Sequence, residues 1–432
     1  MKFIKIALIS MLVFSYCGCA TEPEKVAPRP SAPPLAIKGG LLIDGTGKAP
    51  IPNSVVVIEG GTIKAVGAAG NVTIPPRAHI IEADNRIVLP GLIDMHVHYR
   101  DWMDPLFLSH GVTTVRDVGN NLEYILQARK RSHIEGARKP RIYTSGAFLD
   151  GSPPVFGEDL SFVVTTPQEA KAAASKLVAS NVDCLKTQQK ITLPLLQAIT
   201  EVAQREHVPV VVHLGDSKMG NIKASDAILL GVKNIEHGSG INFITVSQSE
   251  LEAISDMIVA HSIYVTPTLF MEEQFSRLLD PELKKDPLLK QTPPYVFKFW
   301  ETTFGVNTWW TERNSSLHRA ILKKRMQFVG ILIKKGGLIV AGTDTPVPYV
   351  FPGESLHREL ELLVSAGLTP MQAVMAATKT AAELLGHADR FGTLQAGRSA
   401  DIQLLGANPL ENISNVRSVE MVFRDGKMMW KK

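Results

Sequence analysis

The sequence predicts an α/β protein built around a (β/α)8 TIM barrel. Three observations lead there. Apolar runs alternate with helical stretches across residues 87–390 of the 432, which is the grammar of a parallel sheet wrapped in helices. Several of those runs end in His, Lys or Asp, and a barrel gathers its strand ends on one face. Both ends of the chain instead hold only short strand-like runs separated by turn residues, so each end reads as a small β unit outside the alternating middle.

Taken in order, Met1 to Gly18 carries Lys2 and Lys5 ahead of an apolar stretch that runs through Phe14. This reads as a secretory signal peptide, too short to span a membrane well. Gly18-Cys19 is similar to a bacterial lipoprotein cleavage and lipidation site. Tyr16 and Cys17 depart from the usual residues before it, and an ordinary cleaved signal or an uncleaved anchor is the alternative. Residues 19–35 are rich in Pro, Ala and charge and read as a lipid-anchored flexible linker. Residues 36–86 hold short strands broken by Asp44-Gly45-Thr46-Gly47 and Gly60-Gly61. Residues 391–432 have the same grammar, ending in the turn Arg424-Asp425-Gly426-Lys427.

Between them eight strands are expected: Ile87–His98, Val112–Val118, Arg141–Phe148, Val182–Gln188, Val208–Gly215, Asn234–His237, Ile263–Leu269 and Leu338–Asp344. The first is almost wholly apolar up to Ile93, as a parallel strand covered on both faces should be. Helical stretches lie between most of them. The last, Pro370–Leu385, starts with Thr369 as cap and Pro370 at the first helical position. The connection Phe270–Ser316 is far longer than a usual strand–helix loop. Its aromatics, Tyr295 to Trp310, read equally as a lid or as a satellite core.

Composition narrows the function classes. Hydrophobic residues at 45% leave ample material for a core. The formal charge of +4 is spread along the chain with no run of five like charges, so nothing favours nucleic-acid binding. The three cysteines, Cys17, Cys19 and Cys184, imply no disulfide framework. Cys184 reads as a small buried hydrophobe.

The chemistry lies at the strand ends. His96 and His98 are two apart, so both imidazoles leave one face of their strand. Lys186 lies near the end of strand four, His213 ends strand five, His237 ends strand six and Asp344 ends strand eight. Imidazole and carboxylate suit zinc and related divalent ions. Six candidate positions exceed what one tetrahedral zinc needs, so two ions about 3.5–4 Å apart are the better count. If Lys186 only snorkels from its strand, a mononuclear site of His96, His98, His213 and Asp344 remains. Asp94 reads as structural or as support for the ligands. Glu236 alternates away from His237 and reads as a structural partner.

The stretches PGLIDMHVH, GVTTVRDVG, VVVHLGD, NIEHGSG, IVAGTDTP and GTLQAGRSADIQLL resemble the metal-dependent amidohydrolase superfamily, in its imidazolonepropionase and prolidase-like branch. The resemblance covers roughly residues 36–430. It implies that the two chain ends pair into one β-sandwich. It also implies that His96, His98 and Asp344 hold one metal ion, that His213 and His237 hold a second, and that Lys186 bridges them as a carbon dioxide-derived carbamate. A metal-bridging hydroxide would attack an amide carbonyl, with Asp344 as catalytic base and then acid. The expected substrate is a small-molecule amide, a dipeptide or an N-acyl amino acid. The alternative is a cyclic amide, since His96-Val97-His98-Tyr99-Arg100 is similar to the HxHxR of dihydroorotases. A third reading is a non-catalytic, lipid-anchored binding protein. Arg100, with Arg116 as its rival, is the candidate for holding a substrate carboxylate. A homo-oligomer is compatible with all of this.

The export reading makes a direct prediction. Mass spectrometry of the mature protein should find an acylated Cys19 as the first residue, facing the periplasm from its membrane. An unmodified terminus beyond Cys19 would reject the anchor.

Overall fold

The computed structural model describes residues 33–215 and 221–432. The expected signal peptide, Cys19 and most of the expected linker lie outside the described residues. Among the described residues no helix is long and apolar enough to cross a membrane.

The chain opens with β1 (Leu35–Lys38), β2 (Leu41–Leu42), β3 (Ser54–Glu59), β4 (Thr62–Ala68), β5 (His79–Glu82) and β6 (Ile87–Pro90). The barrel follows with β7 (Leu92–Val97), β8 (Val112–Asp117), β9 (Arg141–Thr144), β10 (Phe148–Asp150), β11 (Ser161–Val163), β12 (Leu185–Thr187), β13 (Val210–Val212), β14 (Asn234–Glu236), β15 (Tyr264–Thr266) and β16 (Leu338–Ile339). Its helices are α1 (Asp104–Ser109), α2 (Leu122–Ser132), α3 (Pro167–Ala179), α4 (Leu193–Arg205), α5 (Ala224–Leu229), α6 (Gln248–Ala260), α7 (Leu269–Ser276), α8 (Pro294–Phe304), α9 (Glu312–Lys334), α10 (Glu354–Ala366), α11 (Pro370–Ala376) and α12 (Lys379–Leu384). The chain ends with β17 (Ile402–Leu405), β18 (Val419–Arg424) and β19 (Lys427–Lys431).

Two parallel arcs make the barrel, β7-β8-β9 and β10-β12-β13-β14-β15-β16. The third barrel strand is β9 and β10 in succession, with Asp183 N–H donating to the Thr144 carbonyl at 2.8 Å across the break. The barrel closes where strand eight returns to strand one. Met95 N–H donates to Ala341 at 3.0 Å, Asp344 N–H to His96 at 2.8 Å and His98 N–H to Thr345 at 2.8 Å. Closure through these backbone bonds sets Asp344 beside His96 and His98.

The expected first strand, Ile87–His98, is two strands. Ile87–Pro90 belongs to the sandwich, where it pairs antiparallel with β17 in the register Ile402↔Pro90 to Leu405↔Ile87. Pro90 has no N–H to extend the ladder. Gly91 then passes so close to β8 that a Cβ would lie 2.3 Å from Thr113 Oγ1. The domain boundary thus falls at Gly91 and not at residue 86. One sandwich sheet is β4-β3-β1-β5 and the other β19-β18-β17-β6-β2. Ile37, Val56, Val88, Ile402, Leu404 and Phe423 fill the space between them, so both chain ends share one core. A buried ion pair ties this unit to the barrel, with Arg141 reaching Asp401 at 2.7 Å and Asp425 at 2.8 Å.

The helices form where the sequence caps them. Thr166 and Glu169 make a capping box on α3, as do Thr369 and Gln372 on α11, each with Pro at the start. A short α1, absent from the sequence reading, fills the connection between strands one and two. Cys184 is buried, and burial pushes its thiol up to about 12. The long connection after strand seven packs partly into the core. Trp300 is buried and its indole N–H donates to the Pro346 carbonyl at 2.7 Å, just beyond Asp344. Tyr295 and Trp309 stay 55% exposed.

One buried acid makes stability pH-dependent. Glu359 on α10 accepts the Phe270 N–H at 2.7 Å, while its Oε1 has no partner. Burial pushes it up from 4.5 to about 8. A raised carboxyl favours the fold fully below the unfolded value, and the gain fades as pH rises through the folded value. Urea unfolding should therefore show Glu359→Gln gaining on the unmutated protein between about pH 5 and about pH 8.5. Parallel stability–pH curves would contradict this.

Candidate metal centre

Each candidate ligand stands at or just past the end of a barrel strand. His96 lies within β7 and His98 one residue beyond it; His213, His237 and Asp344 follow β13, β14 and β16. Two depart from ordinary strand geometry. His237 has φ 60° and Asp344 φ 68°, the left-handed region that a non-glycine residue seldom adopts. This turn re-aims the side chain. It is why Glu236 and His237, adjacent in sequence, both reach the barrel interior, against the alternation expected of them. Gly342 leaves room for it, because a Cβ there would sit 2.8 Å from the His96 Cβ.

The result is a convergence of ring nitrogens on one carboxylate. His96 Nε2 lies 3.3 Å and His98 Nε2 3.1 Å from Asp344 Oδ1, and His237 Nε2 lies 3.9 Å from Oδ2. One ligand atom from each of His96, His98 and Asp344 fits within 4.8 Å of the others. The His213 ring is 4.4 Å from that of His237. Its Nε2 accepts the Gln189 side-chain amide at 2.9 Å.

The opposite edge of each ring says which nitrogen carries hydrogen. His98 Nδ1 meets the Gly119 carbonyl at 3.0 Å, and a carbonyl only accepts. His96 Nδ1 meets the Glu236 carboxylate at 2.6 Å. His237 Nδ1 meets Thr268 Oγ1 at 2.6 Å, and that hydroxyl already donates to Pro267 at 2.9 Å. All three rings therefore carry hydrogen on Nδ1 and turn Nε2 toward Asp344. Outer partners of this kind fix the tautomer of metal-ligating histidines. Lone pairs facing a carboxylate repel unless a cation lies between them, so this donor set fits a divalent ion.

The electrostatics agree. Burial opposes charge on His96, but Glu236 and Asp344 overcome it and hold the ring up at about 9. Burial also opposes charge on Asp344, yet His96 above all keeps its carboxyl well below the usual range. Burial pushes His213 and His237 well down, leaving neutral imidazoles. Lys186 is 1% exposed, and burial lowers it to about 8. Its Nζ donates to the Thr187 carbonyl at 2.9 Å and does not join the ligand cluster in this rotamer.

The arginines divide. Arg100 stands beyond the strand, its guanidinium on the Tyr99 carbonyl and the Asn120 side chain, over the Tyr124 ring. Arg116 is 2% exposed inside the barrel. It donates to Glu236 and Asn234, each at 2.6 Å, and to the Met95 carbonyl at 2.7 Å. Its expected role on a substrate carboxylate gives way to another. It neutralises Glu236, which in turn holds His96. Asp94 accepts from Thr343 N–H and Oγ1 at 3.1 and 2.7 Å, fastening strand eight to strand one. The sequence reading missed Thr268 and Gly119 altogether. Thr268, directly after Pro267 at the end of strand seven, was the one signal available.

The Amidohydrolase family profile matches residues 87–429. A putative prolidase from Bifidobacterium longum superposes with a TM-score of 0.74 at 25% identity, covering 93% of this chain and 96% of that one. An adenine deaminase from Paracoccus denitrificans is 32% identical over 87 residues, 19% of this chain and 15% of the deaminase. A dihydroorotase from Lactiplantibacillus plantarum is 23% identical over 267 residues, 55% of this chain and 61% of that protein. The chain thus spans less than two thirds of either curated relative.

The assignment of Arg116 can be checked. Removing one partner of a buried charge pair costs about 3–5 kcal/mol. Arg116→Met should lower unfolding free energy by that order in urea titrations and weaken metal retention. A variant of unchanged stability that lost only substrate affinity would return Arg116 to substrate binding.

Proposed function

This chain belongs to the amidohydrolase family, and we propose that within it the protein is a two-metal hydrolase cleaving an amide bond in a dipeptide or an N-acyl amino acid. The observation that carries the reading is the set of three Nε2 atoms aimed at Asp344. His96, His98 and Asp344 would hold one ion, His213 and His237 the other, and Lys186 would join them as a carbamate. Bound there, the ions would supply a hydroxide nucleophile near neutral pH and polarise the scissile carbonyl.

The chain's own residues do the rest. Lys186, lowered to about 8 by burial, holds enough neutral amine at neutral pH to add carbon dioxide; an ammonium could not. Asp344 turns Oδ1 to His96 and His98, and its Oδ2 is the freer oxygen, 3.9 Å from His237. Oδ2 would take the proton of the attacking hydroxide and return it to the leaving nitrogen, which departs poorly until protonated. Glu236, backed by Arg116, keeps His96 in the tautomer this requires.

A second reading has support of its own. Arg100 follows His98 by two residues and shares Asn120 at the mouth, and the dihydroorotase likeness adds a cyclic-amide precedent. Residues 1–19 support an exported, lipid-anchored enzyme, which argues against a cytosolic biosynthetic role.

Two experiments test this. The purified protein should carry close to two divalent ions per chain, zinc first. Lys186→Ala should lose at least one ion and most amidase activity, with partial rescue by short carboxylic acids. One tightly held ion, with Lys186→Ala fully active, would sink the two-metal reading. The second compares free-acid substrates with their carboxamides. If Arg100 holds the carboxylate, the acid should be preferred roughly thirty- to a thousand-fold in kcat/KM, and Arg100→Met should erase that preference without releasing metal. Equal cleavage of both forms would move the substrate class to neutral or cyclic amides.

A further inference from the structure

The third barrel strand leaves β10 at Asp150, at the same end of the barrel as the metal candidates. Residues 151–160 rise from that face before the chain enters β11. The middle of this loop turns an aromatic side chain inward. Phe156 stacks on Phe148 with ring centroids 5.8 Å apart and planes 28° from parallel.

Phe148 connects the loop to the chemistry. It is 2% exposed. Its ring centroid is 5.7 Å from the His98 ring and 5.7 Å from Lys186 Nζ. The two phenylalanines therefore make one apolar wall that begins against His98 and Lys186 and continues outward to the half-buried Phe156.

The wall is held in place by a buried carboxylate. Asp150 is 0% exposed. Its Oδ1 accepts the Gly151 and Lys190 N–H groups at 2.9 and 3.0 Å, and its Oδ2 accepts the Val155 N–H at 2.7 Å. The last bond fixes the residue directly before Phe156. The Lys190 bond locks the loop to the one after strand four. There is no slack between the two, since a Cβ on Gly151 would lie 2.3 Å from the Lys190 carbonyl oxygen. Loops on a rigid scaffold are where binding residues concentrate, and apolar walls with a few polar groups are how small-molecule sites select.

We infer that Phe148 and Phe156 form an apolar subsite of this centre, that Phe156 determines specificity, and that the substrate carries a bulky apolar group, aromatic or branched, beside the scissile amide. This rests on the amide-hydrolase reading above and adds the substrate class to it.

Two measurements on the metal-loaded full chain test it, one independent of turnover. The first is calorimetric affinity for acetohydroxamate and phenylacetohydroxamate, which share one metal-binding head. The second is kcat/KM for dipeptides and N-acyl amino acids varied at one flank at a time, alanine or acetyl against phenylalanine or phenylacetyl. The unmutated protein should favour the phenyl probe, and the phenyl substrate at one flank, by roughly ten- to two-hundredfold. Phe156→Ala should bring both ratios to within about threefold by lowering affinity for the phenyl probe and kcat/KM for the phenyl substrate; Phe156→Leu should fall between. A purely packing role would lower Tm and leave the ratios intact, and that result overturns the inference. So does equal or absent binding of the two probes by the unmutated protein. If the phenyl probe is preferred, the preference vanishes in Phe156→Ala and no amide is cleaved, the subsite stands and the hydrolase reading falls.

Discussion

His96 Nε2 and His98 Nε2 lie 3.3 and 3.1 Å from one oxygen of a buried carboxylate. Each is a lone pair set against another lone pair, and a fold sustains that only with a cation between them. In the bare chain a proton on His96 can fill the place, and Glu236 and Asp344 together hold that ring up at about 9 against its burial. A divalent ion fills it better, because it meets several acceptors at once. The rest of the barrel top is arranged so that these lone pairs cannot turn away.

The restraint is layered. The Gly119 carbonyl, the Glu236 carboxylate and the Thr268 hydroxyl each take one Nδ1–H. Glu236 is itself buried and would be intolerable alone; Arg116 neutralises it at 2.6 Å. Thr268 is tied to Pro267 and has φ 46°, so strands six, seven and eight all end in a left-handed non-glycine residue at or beside the site. Such conformations cost about 1–3 kcal/mol each. They persist here because barrel closure, through the bonds joining residues 341–345 to residues 95–98, leaves the strand ends no alternative. The same closure keeps Asp344 beside the histidines before any ligand arrives.

Much of this was legible in the sequence because it follows from period and position. Alternating apolar runs gave the barrel, and strand-end residues gave the six candidates, since strand C-termini must meet on one face. The i, i+2 spacing of His96 and His98 put both imidazoles on one side. What was not legible depends on departures from period. Nothing in Asn234-Ile235-Glu236-His237 says that His237 takes φ 60°, and without that turn His237 would point away from the interior that Glu236 faces. Arg116 ends a strand, as a substrate-binding residue would. That its partner is a carboxylate 120 positions later is a tertiary fact. The break at Gly91 was hidden because Ile87–Pro90 and Leu92–Val97 are both apolar, one facing the sandwich core and the other the barrel. Phe156 sits in a Pro- and Gly-rich loop, and only the fold lays it on Phe148.

Anomalous diffraction from crystals of the metal-loaded protein, recorded at the absorption edge of the bound metal, tests the central claim most directly. The account predicts a peak within coordination distance of His96 Nε2, His98 Nε2 and Asp344 Oδ1, with a second beside His213 and His237. Crystals holding metal elsewhere, with these nitrogens still turned on Asp344 and no density between them, would contradict it.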